Sequence, residues 1–217
     1  MNTNIDTNTS THHTASNSRV IRIDSSARGT SSNSNQITAY LAQQLQEQGA
    51  ELLKAYDLGV SPLPHLSSEE LVAVHGSVDT GNEYLLERKA LSDQLIAELK
   101  QADTLVLGAP MYNFGVPAVL KQWVDYIARA GETFRYTENG PQGLTGIENA
   151  YVVVATGGTP VGSDWDHVSG YLKTVLSFIG VKHVHIVDAS GSKGNTEEIL
   201  AAGREQVDAF LAKEKVA

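Results

Sequence analysis

Thr104-Leu105-Val106-Leu107-Gly108-Ala109-Pro110-Met111-Tyr112-Asn113-Phe114-Gly115-Val116-Pro117 is the stretch on which the fold turns. Its first six residues are apolar or small without alternation, which is how a strand buried on both faces reads. Pro110 stops the strand. Pro117 suits the first turn of a helix, expected to run to Ala130 and close at Gly131. Strand, loop and helix in that order make one unit of a parallel α/β architecture.

The pattern repeats outward from there. Val20-Ile21-Arg22-Ile23 is a β-branched run ending at Asp24-Ser25-Ser26, and Ile37, Leu41 and Leu45 recur at helical spacing up to Gly49. Leu52 to Tyr56 is a weaker strand, followed by Pro62 and Pro64. Ser67-Ser68-Glu69-Glu70 fits a capping box opening a short helix. Glu83 to Lys100 carries one apolar helical face. Tyr151 to Ala155 and His183 to Val187 read as strands, Tyr171 to Ile179 and Thr196 to Lys213 as helices. Five strands separated by helices predict a doubly wound, mostly parallel sheet, whose ligands bind beyond the carboxyl ends of the strands. Arg22 stands out: a charge in a central strand must lie near its end or find a partner.

Composition narrows the chemistry. The chain has 217 residues, no cysteine and a net charge of -9. Disulfides, thiolate metal sites and Cys-ligated clusters are excluded, so redox chemistry here would need a borrowed electron carrier. Acidity argues against nucleic acid and anionic membranes. Hydrophobic residues are 41%, and with glycine the apolar share is about half, as in globular domains. No apolar run reaches the roughly 20 residues of a membrane span. The expectation is a soluble cytoplasmic protein. Residues Met1 to Ser18 are Asn, Thr, Ser and His with few apolar side chains, and read as a disordered polar tail ahead of a single domain over 19–217. The tail lacks the apolar region of a signal peptide and the Arg of a transit peptide. His12-His13 within it offers two metal-binding side chains, but adjacent histidines in such a tail usually carry no site.

Three loops follow the expected strand ends. Ser25 to Asn35 is rich in hydroxyls and opens a helix, where unpaired N–H groups favour an anion. It lacks GxGxxG and GxxxxGK[ST], so a dinucleotide fingerprint and a P-loop are disfavoured. Two readings stand: a cradle for a monophosphate such as that of FMN, or a Ser-rich turn with an N-cap. Pro110 to Pro117 offers Met111, Tyr112, Asn113 and Phe114, flat apolar surface with backbone partners for an isoalloxazine ring; Met111 and Phe114 also suit a core at a strand end. Ala155-Thr156-Gly157-Gly158 has paired glycines that admit a close ligand or make a plain turn. Thr133 to Pro141 alternates and ends in a turn signal, reading as an exposed hairpin arm on which Phe134 and Tyr136 cover a pocket or a partner subunit. His167 reads as a surface-helix residue, although its place after the third loop also allows approach to the pocket. His183 and His185 share a strand face without a nearby carboxylate, which is a poor metal pair.

Pro110-Met111-Tyr112-Asn113-Phe114, Leu120-Lys121, Arg129-Ala130-Gly131 and Thr133 to Pro141 with Gly143-Leu144 closely resemble the FMN-dependent NADH azoreductases, which are also NADH:quinone reductases. Ser25-Ser26, Ser32, Ser34-Asn35-Gln36 and Leu91-Ser92-Asp93 resemble the same family. The resemblance runs from about Val20 to the C-terminus. Phe114 to Lys121 is also similar to the mammalian-type quinone reductases.

The resemblance implies a flavodoxin-like, three-layer α/β fold with a five-stranded parallel sheet in the order 2-1-3-4-5. It further implies a homodimer with one FMN per subunit and NADH as donor. Two-electron ping-pong transfer to quinones follows, with reductive cleavage of aromatic azo compounds to amines. Ser26, Ser32 and Ser34 then hold the phosphate, with Asn33 contributing backbone. Pro110, Met111, Tyr112, Asn113 and Phe114 take the flavin ring, and Ala155, Thr156, Gly157 and Gly158 form its third contact. The family often has Ser-Arg-Gly-Gly there, so the contact made by that Arg is not carried over to Thr156. No residue is required as a catalytic base; Asn113 and Tyr136, with Tyr112, are candidates to orient the acceptor or relay protons. No metal is implied. Other readings of the same fold are an electron carrier without enzymatic activity and an NAD(P)H:FMN reductase that releases its flavin.

Overall fold

A computed structural model describes residues 18–76, 82–191 and 194–214. Of the expected polar tail only Ser18 falls within them, its carbonyl accepting from Glu51 N at 2.8 Å; His12 and His13 lie outside the described residues. The elements are β1 (Arg19–Asp24), α1 (Asn33–Glu47), β2 (Glu51–Asp57), α2 (Ser68–His75), α3 (Glu83–Gln101), β3 (Thr104–Pro110), α4 (Ala118–Ile127), β4 (Phe134–Thr137), β5 (Gly140–Gly143), β6 (Asn149–Ala155), α5 (Ser169–Ile179), β7 (His183–Ala189) and α6 (Thr196–Glu214).

Five strands form one sheet in the order β2-β1-β3-β6-β7, and β4 pairs with β5 in a separate hairpin. All neighbours in the larger sheet are parallel. With the hairpin set aside, this is the expected order 2-1-3-4-5. The pleat sends alternate residues to opposite faces. Val20 and Val106 join Ile37, Leu41, Val153, Val187 and Val207 under α1 and α6. Ile21, Ile23, Leu105, Leu107, Val152 and Val154 pack against Leu95 and Leu99 of α3, Trp123 of α4 and Leu176 of α5. Every residue of β3 is buried, so its lack of alternation records two apolar faces rather than one.

Local chemistry explains the element ends. Ser67 and Glu70 complete the capping box of α2. Gly180, at φ +105°, ends α5 in the left-handed region that glycine tolerates. Helix α4 is shorter than expected, stopping at Ile127 instead of Ala130. The Thr133 hydroxyl donates to Ile127 O at 2.6 Å and accepts from Arg129 N at 3.1 Å. It thereby takes over a carbonyl that another helical turn would need, and Gly131 falls in the turn leading to β4. Arg129 is buried, its Nη1 donating to Ser92 Oγ at 2.9 Å and to Asp93 Oδ1 at 2.5 Å.

The hairpin differs from the expected arm in one respect. Phe134 is buried, its ring 4.2 Å from that of Phe178, and only Tyr136 projects, 74% exposed. Its foot presses on α5: Leu144 N and Thr145 N both donate to Ile179 O, at 3.1 and 3.0 Å. His183 and His185 do share β7. Contrary to the expectation, a carboxylate is near: the pairing of Asn149 with His183 brings Glu148 Oε1 to 3.7 Å from His183 Nε2, while His185 Nε2 is 3.1 Å from Asn149 Oδ1 with its ring stacked on Tyr151. Among the described residues no three His, Cys, Asp or Glu side chains group as metal ligands, and no helix is long and apolar enough to cross a membrane.

Candidate functional site: a three-loop cleft at the carboxyl edge of the sheet

The parallel sheet puts the ends of β1, β3 and β6 side by side: Asp24 pairs with Gly108, and Pro110 with Ala155. The loops leaving these ends meet as a consequence. Ser25 Oγ donates to Gly108 O at 2.6 Å, anchoring the first loop to β3. Met111 N donates to Ala155 O at 2.8 Å, carrying the β3–β6 ladder one step into the second loop.

The first loop passes through a short 3-10 turn, Gly29–Ser31, into α1. Ser32 occupies the N-cap position but makes no side-chain cap. The first-turn N–H groups of Asn33, Ser34 and Asn35 are the donors a helix leaves unpaired at its start. Ser32, Asn33, Ser34 and Asn35 are all buried. Ser32 Oγ and Ser34 Oγ are 2.9 Å apart, and Ser34 Oγ donates to Asn35 Oδ1 at 3.3 Å. Asn33 Nδ2 is buried with no hydrogen-bond partner. A buried donor left unpaired costs free energy, about 1–3 kcal/mol. Clustered hydroxyls, a helix N-terminus and an orphaned amide donor therefore make a cradle whose chemistry fits an anion of phosphate type.

In the second loop Tyr112 and Gly115 close a tight turn with two backbone bonds, Tyr112 N to Gly115 O at 3.0 Å and Gly115 N to Tyr112 O at 3.1 Å. Asn113 and Phe114 sit at φ +49° and +68°. A phenylalanine in this region is strained, and such strain gathers at functional sites. Tyr112 OH is 3.1 Å from Ser26 Oγ and accepts from Ala27 N at 3.1 Å, tying the second loop to the first. In the third loop Thr156 is buried and its hydroxyl donates to Thr159 O at 2.5 Å, folding the loop on itself.

A cleft of about 70 Å3 is lined by all three loops: Ser26, Ser32 and Asn33 from the first, Pro110, Met111 and Tyr112 from the second, Ala155 and Gly157 from the third. Arg28 lines it as well, a cation not singled out when the loop was read as rich in hydroxyls; its signal was simply its place between Ser26 and Ser32. Ser34, bonded to Ser32, does not line this cleft, nor do Asn113, Phe114, Thr156, Gly158 and Tyr136.

Next to it runs a broader groove of about 720 Å3, lined by Gly115, Val116, Ala118 and Lys121 on one side and Asp166, His167, Gly170 and Tyr171 on the other. His167 is not on a helix: it is exposed in the turn ahead of α5 and faces this groove. Phe114 and Trp165, 45% and 64% exposed, form a tilted pair with ring centres 5.3 Å apart. Asp166 holds the turn. It accepts from Gly162 N at 2.8 Å, Val168 N at 2.9 Å, Ser169 N at 3.0 Å and Ser169 Oγ at 2.5 Å. Burial pushes its carboxyl up, but these donors outweigh burial and hold it below the ordinary aspartate value. Trp165 and Asp166 were not picked out from sequence, although a tryptophan in an otherwise polar loop was a legible sign.

The family described as Flavodoxin-like fold matches residues 18–211. A protein of Hahella chejuensis named FMN-dependent NADH:quinone oxidoreductase 1 is 46% identical over 193 residues, covering 88% of this chain and 94% of its own. The FMN-dependent NADH:quinone oxidoreductase of Shewanella loihica is 46% identical over 198 residues, covering 89% and 99%. Among solved structures, azoreductase AzrA superposes with a TM-score of 0.78 at 26% identity, over 90% of this chain and all of its own. The chain belongs to the flavodoxin-like family, and its relatives there are named FMN-dependent NADH:quinone oxidoreductases.

Proposed function

We propose that this protein is an FMN-dependent NADH:quinone oxidoreductase that also cleaves aromatic azo bonds, working as a cytoplasmic homodimer. The observation that carries the reading is the cradle at the start of α1, where Asn33 Nδ2 is a buried donor without a partner and the Ser32 and Ser34 hydroxyls stand beside it. The names of the relatives and of azoreductase AzrA support it.

FMN, when bound, supplies the two-electron relay between NADH and the acceptor, which use the site in turn. The protein does the rest. Ser26, Ser32, Asn33 and Ser34 hold the phosphate through hydroxyls, amide and first-turn N–H groups, with Arg28 as the nearby cation. Pro110, Met111, Tyr112, Asn113 and Phe114 offer backbone and ring surface to the flavin, and Ala155, Thr156, Gly157 and Gly158 close its other edge. Phe114 and Trp165 give a planar acceptor an aromatic wall. Asn113 and Tyr136 orient the acceptor or relay its proton by way of water. Exposed Tyr136 on the hairpin suits contact with a second subunit.

Purified protein should be yellow, with an oxidised-flavin spectrum, and should oxidise NADH with a benzoquinone without added flavin. No FMN-dependent NADH oxidation would sink the reading. Turnover only with excess free FMN would make the protein a flavin reductase instead.

A further inference from the structure

Arg22, half-buried, and Asp24, buried, are a charged pair with no part in the site as described so far. Both lie on β1, between β2 and β3, and point to the α1 face with Val20. Arg22 Nη2 donates to Asp24 Oδ2 at 2.5 Å, with side chains 21% and 5% exposed. Arg22 Nε is buried without a partner. A pair of this kind in a central strand is a poor device for stability, since desolvation offsets the attraction. Its hydrogen bonds show what else it does. Arg22 Nη2 also donates to Asn35 O at 3.1 Å, in the first turn of α1. Thr38 Oγ1 donates to Asp24 Oδ1 at 2.5 Å and lies 3.0 Å from the same Asn35 O. The Asn35 side chain in turn accepts from Ser34 Oγ, which meets Ser32 Oγ. Asn35 thus joins the two sets of contacts, its main-chain carbonyl held by Arg22 and its side chain by the serines of the cradle. Gly108 makes the room: a Cβ there would stand 2.9 Å from Asp24 Oδ1 and 3.4 Å from Thr38 Cγ2.

We propose that the Arg22–Asp24 pair is the positioning device of the anion cradle, fixing the first turn of α1 so that Ser32, Asn33 and Ser34 meet the phosphate of the cofactor. This rests on the FMN reading above and adds to it two residues that do not touch the ligand. Because the pair acts only on the phosphate end, it controls discrimination between FMN and riboflavin, which lacks the phosphate, rather than flavin binding in general.

The test is a pair of fluorescence titrations, FMN and riboflavin, on flavin-free parent, Arg22→Met and Thr38→Val proteins. Arg22→Met should raise the FMN dissociation constant about tenfold or more, a hydrogen bond's worth of misplacement, and leave riboflavin within about twofold. Thr38→Val keeps shape and burial while removing the second tether, and should move the FMN to riboflavin ratio the same way by about threefold. A merely structural role would lower the melting temperature and weaken both flavins alike, and that result would overturn the proposal. If Arg22→Met does not fold, an unchanged ratio in Thr38→Val overturns it. Equal weakening in the variants with tight FMN in the parent defeats this proposal alone; a parent that binds neither flavin defeats the FMN reading and this one together.

Discussion

Removing the Ser34 hydroxyl gives the most direct measure of the cradle. Ser34 is fully buried at the second position of α1, its Oγ 2.9 Å from Ser32 Oγ and 3.3 Å from Asn35 Oδ1. In the free protein those are neutral hydrogen bonds, each with a net worth of about 1 kcal/mol; losing both, offset by roughly 0.5 kcal/mol from alanine's better helix propensity, means that Ser34→Ala should lower stability by about 1.5 kcal/mol. Against a phosphate the same hydroxyl makes a bond to a charged group, worth about 1.5–3 kcal/mol. At about 1.4 kcal/mol per tenfold, FMN should bind on the order of 10- to 100-fold more weakly. Ser32→Ala combined with it should cost less than the product of the two single effects, because the two hydroxyls touch and share the ligand. Calorimetric titration of flavin-free protein with FMN reads the effect. An FMN affinity within about threefold of the parent would show that the hydroxyl faces no charged group, and the phosphate assignment would fail with it.

Two further outcomes test the scaffold. Gly143→Ala would put a Cβ 2.1 Å from Gly180 N and 2.2 Å from its Cα; both are backbone, so the hairpin must move off α5. The cost should be near 3 kcal/mol, the upper end for overpacking, and the melting temperature should fall by roughly 6–12 °C; a fall under about 2 °C would show that the contact is loose. The Glu70 carboxyl is held down at about 2 from an ordinary 4.5 by hydrogen bonds from Ser67, then by Tyr84 and Arg88. A depressed carboxyl contributes stability that is complete above its unfolded value and lost as pH falls toward its folded one. Denaturant melts should therefore lose stability between pH 4.5 and 2, and Glu70→Gln should flatten part of that slope; an unchanged slope would remove Glu70 from the acid transition.

Much of the site was legible because its signals are local. A hydroxyl-rich stretch ahead of Ile37 and Leu41, an aromatic turn after β3 and a Gly pair after β6 each declare themselves within a few residues. Where reading failed, a distant group had intervened. Helix α4 stops at Ile127 because the Thr133 hydroxyl, six residues on, takes its carbonyl. Phe134 is buried because Phe178, far along the chain, covers it. Arg28 reads as one more residue of a polar loop until the cleft is seen to have it on its wall.

Strand periodicity, helix caps and the absence of cysteine are properties of short windows and of composition, and they suffice for the parallel sheet and for excluding thiol and Cys-ligated cluster chemistry. The partner of Arg22 was two residues away, yet its purpose depends on Asn35 and Thr38 arriving from α1, and on Gly108 in β3 leaving room for Asp24. The bond from Tyr112 to Ser26 joins loops 86 residues apart. Pattern along the chain records which face a residue presents; only packing decides what that face meets, because burial and hydrogen bonding are settled between segments that the sequence keeps far apart.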